Sequence, residues 1–470
     1  MNIRPNRKKT FQIKDHKNAR DIALFVLLEI MENHRKSHTI LKEIFENELS
    51  EGNRMSSTDR AFIERIVIGS LDRMITLDTV LGRFLSKPLR SLKPLIRGIL
   101  RISAYQLMYM DRVPASAVCN EGVELAKLHG MDGMSGLVNG VLRSIARDLD
   151  AKGDKTSSFG SRSEQYSMPE WICRLIETDH GPQKAEEILK AFLAERRDTV
   201  RLNLSHPELR SYGEEEAEAL VISSLEKEDY EVVKIDLEGL LKQTGQPLPK
   251  GRLPRVYAVA RGRDITKSEA FRKGYLTVQD PASALVASYA APAENAYVID
   301  VCAAPGGKTL ALADLMHDRG RIDARDVSAQ KTALIEENVK RCGFESIRVQ
   351  ILDALKEDED SFYRADVLIA DLPCSGIGVI GKKPDIKYNL QPWTVEELQE
   401  LQRDILTNVS RFVKPKGRLV YSTCTITKAE NEDNVEWMES FLGLQTESVC
   451  RLLPGADHDG FFIAVMKKRY

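Results

Sequence analysis

From Tyr275 onward, short apolar runs alternate with segments of helical periodicity, and no other feature restricts the fold as tightly. The runs are Ala296–Val301, Ile322–Asp326, Ile347–Ile351, Ala365–Ala370 and Arg418–Tyr421; helical segments at Thr309–Met316, Ala329–Arg341 and Val395–Phe412 separate them. Parallel strands need a crossover long enough to hold a helix, so this alternation predicts a doubly wound parallel sheet. A late apolar run at Phe461–Met466 adds a strand that can pair antiparallel. In open sheets of this kind ligands bind at the carboxyl ends of the strands.

Two cysteines fall at such ends. Cys374 sits in Ala370-Asp371-Leu372-Pro373-Cys374-Ser375-Gly376 and Cys424 in Tyr421-Ser422-Thr423-Cys424-Thr425, each directly after an apolar run. Together they suggest thiol chemistry on a bound substrate. Packing as small hydrophobes suits Cys119, Cys302 or Cys342 better.

The turn at Val298-Ile299-Asp300-Val301-Cys302-Ala303-Ala304-Pro305-Gly306-Gly307-Lys308-Thr309 has the form strand, glycine turn, helix. It brings backbone N–H groups and a helix start close to a ligand. A phosphate-binding loop would need glycine where Cys302 stands, and the dinucleotide pattern G-x-G-x-x-G is absent. The nucleoside pocket of an S-adenosylmethionine (SAM) methyltransferase fits best. Asp326 ends the next strand, 26 residues after Asp300, where a carboxylate can accept both ribose hydroxyls; Asp353 follows the strand after that, beside the expected adenine.

Upstream the pattern changes. Residues 18–150 are helical throughout: Ile22, Phe25, Val26 and Ile30 share one face, as do Ile63, Ile66, Val67, Ser70 and Leu71, and Ser56 to Asp59 supply a capping signal. Five or more helices are expected. Residues 151–165 are small, polar and aperiodic, a linker. Residues 166–274 mix helices with short strands at Thr199–Leu204, Tyr230–Ile235 and Arg255–Ala260, a small α+β unit. The 470-residue chain is therefore multidomain, with the catalytic unit at 275–470.

Charge divides along the same boundary. Residues 1–150 hold 24 Lys and Arg against 18 Asp and Glu, the remainder 44 against 52. Residues 1–17 form a basic tail, and a basic arm favours phosphates. Seven cysteines with no C-x-x-C pair indicate neither a disulfide framework nor a zinc site, so no metal is expected. No apolar run approaches the ~20 residues of a membrane helix, and no signal-peptide core follows the basic start, so a cytoplasmic protein with reduced thiols and no membrane partner is expected. A monomer is the default expectation.

Taken together, Asp300-Val-Cys-Ala-Ala-Pro-Gly-Gly-Lys-Thr309, Asp371-Leu-Pro-Cys-Ser-Gly-Ile-Gly378 and Ser422-Thr-Cys-Thr425 resemble the motifs of the RNA cytosine-C5 methyltransferase family. Arg201-Leu202-Asn203, Gln279-Asp280-Pro281, Asn431-Glu432 and Asp459-Gly460-Phe461-Phe462 add to the resemblance, and the helical part, ending Val138-Asn139-Gly140-Val141-Leu142-Arg143, resembles NusB-like RNA-binding domains. The resemblance implies a Rossmann-like SAM-dependent methyltransferase domain with a NusB-like domain before it. It implies SAM as cofactor, held by Cys302, Ala303, Ala304, Pro305, Gly306, Gly307, Lys308, Asp326, Asp353 and Asp371, and 16S (small-subunit) ribosomal RNA as partner and substrate.

By the same resemblance Cys424 is the nucleophile that adds to cytosine C6, Cys374 assists removal of the C5 proton and product release, and Asp371 hydrogen-bonds the cytosine edge. DNA cytosine methyltransferases attack with the cysteine of their Pro-Cys motif, so Cys424 within Thr-Cys-Thr is what points to RNA. Covalent addition is needed because C5 of cytosine is a poor nucleophile until C6 is substituted. A free thiol ionises near pH 8.5, and Lys308 is the candidate cation that helps Cys424 do so. Arg201, Lys382 and Lys383 are candidate phosphate contacts. Arg325 stands where a small apolar residue is expected, which leaves the packing of its strand open. Transfer RNA as substrate, and a non-catalytic RNA-binding or assembly factor, are the alternatives.

Overall fold

The computed structural model describes residues 18–50, 55–152, 159–260 and 264–469. The basic tail expected at 1–17 lies outside them, as do residues 153–158 of the expected linker; of that linker, Ala151 and Lys152 end a helix and Arg162 begins another, Arg162–Tyr166. The chain divides into two compact units, one running through Arg174 and taking in Lys383–Asn389, the other holding Leu175–Lys382 and the chain from Leu390 on.

The first unit is all-helical. Its helices between residues 18 and 152 are Ala19–Asn33, Ser37–Ser50, Ser57–Asp72, Met74–Arg83, Pro94–Tyr109, Ala115–Leu128 and Ser135–Lys152. The periodic positions behave as the spacing requires: Ile22, Val26 and Ile30 are buried, and Ile63, Ile66, Val67 and Leu71 are fully so. Each such side chain contributes about 1.5–3 kcal/mol relative to exposure. The Ser56 hydroxyl accepts from Asp59 N–H and starts the third helix. The segment Lys383–Asn389 belongs here because Ser37 donates to Asp385 at 2.5 Å, Tyr388 donates to the Leu71 carbonyl at 2.7 Å and Lys387 to that of Asp72 at 2.8 Å.

The second unit carries two sheets. The smaller holds β1 (Asp198–Leu202), β2 (Val232–Lys234), β3 (Val256–Val259) and β4 (Leu276–Val278), antiparallel in the order β2-β3-β1-β4, so it runs past residue 274. The larger holds β5 (Tyr297–Asp300), β6 (Arg321–Asp326), β7 (Ile347–Ile351), β8 (Ala365–Asp371), β9 (Val413–Thr423), β10 (Leu444–Leu452) and β11 (Phe461–Lys468) in the order β10-β11-β9-β8-β5-β6-β7. Strands β5 to β9 pair in parallel, and β11 pairs antiparallel with both β9 and β10.

Along the central strands β5, β8, β9 and β11 both faces of this sheet are buried, with the two-residue period that strands impose. Val298, Val367, Ile369, Val420 and Ile463 pack with the helices Pro281–Ala290 and Gly307–Leu315. Ile299, Leu368, Leu419, Tyr421 and Phe462 pack on the opposite face with Thr394–Val409 and Glu432–Phe441. Where β6 lies, that second face is polar. Between β7 and β8 there is only a short turn at Glu359–Ser361, and buried Arg325 bonds Gln350 at 3.1 Å, Asp358 at 3.1 Å and Ser361 at 2.8 Å. Arginine replaces the expected small residue because hydrogen-bonding groups, not a helix, cover it.

Candidate active site

Order reverses at β5, which lies between β8 on one side and β6 on the other, and β5 ends at Asp300. The chain then turns through residues 301–306 into the helix Gly307–Leu315. Gly306 holds φ +105° at the helix start, a conformation only glycine adopts readily. Asp300 is fully buried and accepts from Thr309 Oγ1 at 2.7 Å. Burial pushes its carboxyl up to about 7, against the Thr309 bond, which pulls it down. Cys302, in the same turn, is a thiol whose ionisation is pushed far up, first by burial and then by Asp300, Asp326 and Asp371.

Buried polar atoms here without a hydrogen-bond partner include Asp300 Oδ1, on a carboxyl that the nearby Cys302 N–H also lowers, and Gln279 Nε2, with Arg201 Nη2 beside it. The amide of Gln279 cannot turn round to satisfy itself, because Arg201 Nε donates to its Oε1 at 2.8 Å. Its NH2 is thereby aimed at the glycine turn, 3.4 Å from where a Cβ on Gly307 would sit. An unmatched acceptor and an unmatched donor beside a helix start fit the ammonium and carboxylate of an amino-acid tail. Asp326 Oδ2 accepts from Ala304 N–H at 3.0 Å, fixing the turn to the end of β6, and Oδ1 accepts from Val327 N–H and pairs with Lys331. A carboxylate has lone pairs beyond these for ribose hydroxyls. Asp353, two residues past β7, accepts from Leu355 N–H at 3.0 Å and shapes the turn there. These residues fit SAM.

On the other side of β5, strands β8 and β9 run parallel with Asp371 opposite Ser422, so the loops carrying the two cysteines leave the same edge. They meet: Cys374 Sγ and Cys424 Sγ lie 3.3 Å apart. Cys374 is held well above the ordinary thiol range by its hydrogen bond with Cys424, then by burial and the charges of Cys424, Glu430 and Asp371. Asp371 accepts from Lys308 Nζ at 2.6 Å and from Ser422 Oγ at 2.8 Å. Burial lowers the Lys308 ammonium, but Asp371 outweighs it and Cys424 adds to the rise, so the lysine stays charged. Its Nζ also lies 5.2 Å over the Phe461 ring. The loops approach so closely that a Cβ on Gly378 would fall 2.3 Å from the Gly460 carbonyl and 2.8 Å from that of Cys424.

The expected residues thus divide into a group around the glycine turn and a thiol pair, joined by Lys308 and Asp371. Two expected phosphate contacts are corrected. Arg201 is 1% exposed, bonded to Gln279 and paired with Asp314 at 3.7 Å; its charge orients Gln279 instead of facing solvent. Lys382 bridges Asp280 at 2.6 Å and Asp459 at 3.1 Å, tying down the loop beyond Cys374. Lys383 stays exposed. Sequence reading misses Glu430, fully buried and bonded to the Cys374 loop. Thr427-Lys428-Ala429-Glu430 has the spacing of a helix capping box, a signal that would have flagged the residue while misplacing its partner.

A glycine turn fitted to a nucleoside and amino acid, with two cysteines across one sheet edge, defines a SAM-dependent methyltransferase. Residues 287–467 match the family described as 16S rRNA methyltransferase RsmB/F, and residues 17–147 match the NusB family. Over 96% of its length the chain is 33% identical to the probable ribosomal RNA small subunit methyltransferase B of Bacillus subtilis (strain 168), of which 99% is covered. The chain belongs to this RsmB/F family, and it is a SAM-dependent rRNA methyltransferase. A relative from Vibrio vulnificus, ribosomal RNA small subunit methyltransferase B, is 28% identical over 96% of this chain and 100% of its own. Among solved structures, PH0851 matches with a TM-score of 0.74 and 24% identity over 98% of this chain and 100% of its own. NSun6 from Pyrococcus horikoshii, solved with SFG, matches with a TM-score of 0.54 and 22% identity over 64% of this chain and 98% of its own. These two likenesses concern the fold.

Proposed function

We propose that the reaction runs through a covalent adduct between Cys424 and C6 of a cytosine in small-subunit rRNA. The observation that carries this reading is the pair of sulfurs 3.3 Å apart beside the cofactor turn. The Cys424 thiolate adds to C6, a C–S bond forms, and the electron density moved towards C5 makes that carbon nucleophilic. SAM, when bound, supplies the electrophilic methyl group. Cys374 then takes the proton from C5, the C6–S bond breaks, the 5,6 double bond returns and Cys424 leaves as thiolate. The raised ionisation of Cys374 keeps it from being the first nucleophile; forming the Cys424–C6 bond removes the thiolate that raises it, and Cys374 serves as base once its own proton has passed to solvent.

Asp371 accepts from the exocyclic amine and the protonated N3 as charge builds on the ring, and Lys308 holds that carboxylate while favouring the Cys424 thiolate. The base must be unstacked to reach either sulfur. The substrate is tested by bisulfite sequencing of rRNA from cells with and without the protein. Loss of one methylcytosine from small-subunit RNA is expected; an unchanged small-subunit pattern, with a methylcytosine lost from transfer RNA, would move the substrate there.

A further inference from the structure

We propose that Glu430 is a positioning residue that sets Cys374 against Cys424 by clamping the residues on either side of both thiols. Its side chain is fully buried. Oε1 accepts from Ser375 N–H at 2.8 Å and from Gln402 Nε2 at 3.1 Å. Oε2 accepts from Ser375 Oγ at 2.5 Å and from Thr427 Oγ1 at 2.8 Å. All four donors are neutral, and they fill the acceptor capacity of a carboxylate.

What these donors belong to decides the role. Ser375 follows Cys374, and Gln402 also donates to the carbonyl of Pro373, which precedes it, at 2.8 Å. Both neighbours of Cys374 are therefore held by Glu430 or by its partner. On the other side, Thr425 follows Cys424 and donates to Ser375 Oγ at 2.7 Å, because that hydroxyl has given its proton to Glu430. The Glu430 carbonyl accepts from Tyr421 OH, at the end of β9 that leads to Cys424. A carboxylate in this place does more than satisfy one loop. It makes the separation of the two thiol loops a property of a single side chain.

Attack at C6 and proton removal at the adjacent C5 need both sulfurs on one base, and a displacement near 1 Å costs on the order of 100-fold in rate. The inference rests on the two-thiol reading above. Glutamine can keep the clamp: its carbonyl serves Ser375 N–H and Gln402, while its NH2 donates to the Ser375 and Thr427 hydroxyls, which rotate to accept. Alanine cannot.

The test is single- and multiple-turnover methylation of the target RNA with SAM by Glu430→Ala, Glu430→Gln and Ser375→Ala. Expected are a fall in kcat of about 100-fold for Glu430→Ala with KM within about threefold, build-up of a denaturation-resistant protein–RNA adduct because Cys374 no longer reaches the C5 proton, and recovery to within about fivefold in Glu430→Gln. Ser375→Ala, which removes one hydroxyl only, should show the same adduct with about a tenfold loss. If Glu430→Ala does not fold, Ser375→Ala decides: turnover like the parent with no adduct overturns the proposal, as does Glu430→Ala with unchanged kcat. Cys424→Ala run alongside separates the two failures. Methylation surviving in that variant breaks the two-thiol reading itself, whereas its loss beside a normal Ser375→Ala breaks only the role of Glu430.

Discussion

The two sides of β5 differ in how completely they satisfy themselves. Toward β6 the site leaves a buried donor and a buried acceptor open, Gln279 Nε2 and Asp300 Oδ1, around a glycine turn. Toward β9 the polar atoms close on one another more fully: Glu430 is shared between four donors, and Asp371 is held by Lys308 and Ser422 with lone pairs left over. Unmatched buried groups cost stability and are kept where a ligand completes them. Fully matched groups hold geometry. On the function proposed above, the difference separates a receptor, built to gain partners, from a reaction face, built to keep two sulfurs in place.

That contrast can be broken from the reaction face first. Cys424→Ala is expected to lower methyl transfer by roughly 1,000-fold or more with SAM affinity unchanged, measured by tritium transfer and by calorimetry; retained turnover would strip this face of its nucleophile. Lys308→Met, at the seam, should cost about 100-fold and move the alkylation of Cys424 to higher pH. An unchanged alkylation profile would leave Lys308 with no part in ionising the thiol.

Changes on the receptor side should act on binding. Gln279→Leu is expected to weaken SAM about tenfold, the value of one hydrogen bond to a charged group, while adduct formation on RNA continues. Asp300 sharpens the point through pH. Its folded carboxyl titrates at about 7, and only the ionised form pairs with an ammonium, so SAM affinity should rise as pH climbs through about 7 and fall below it. Asp300→Asn should flatten the profile; an equally steep profile in that variant would assign the titration elsewhere. The smallest effect is expected outside both regions. Lys383→Ala should weaken RNA binding a few-fold and reduce the salt slope by about 1, with kcat intact.

Much of this was legible in the sequence because it depends on local order. The strand at Ile347–Ile351 and the helix from Ala329 follow from periodicity alone, and the two cysteines could be expected to meet because each follows an apolar run. Strand β10 is hidden in the sequence: Leu444–Leu452 breaks its alternation at a bulge between Thr446 and Ser448. The places of Arg201, Lys382 and Glu430 are not legible in the sequence, for one reason. Their partners lie far along the chain, Gln279 at 78 residues, Asp280 at 102 and Ser375 at 55, and a charged side chain gives no sign in sequence of whether it will face water or a buried partner. Arg325 becomes intelligible only because its face of β6 is covered by Gln350, Asp358 and Ser361 and not by a helix.

The most direct test of two thiols with separate tasks is the yield of denaturation-resistant protein–RNA adduct from Cys374→Ala and Cys424→Ala, each incubated with target RNA and SAM. Adduct from Cys374→Ala and none from Cys424→Ala is the expected result; adduct from Cys424→Ala would reverse the roles and contradict the account.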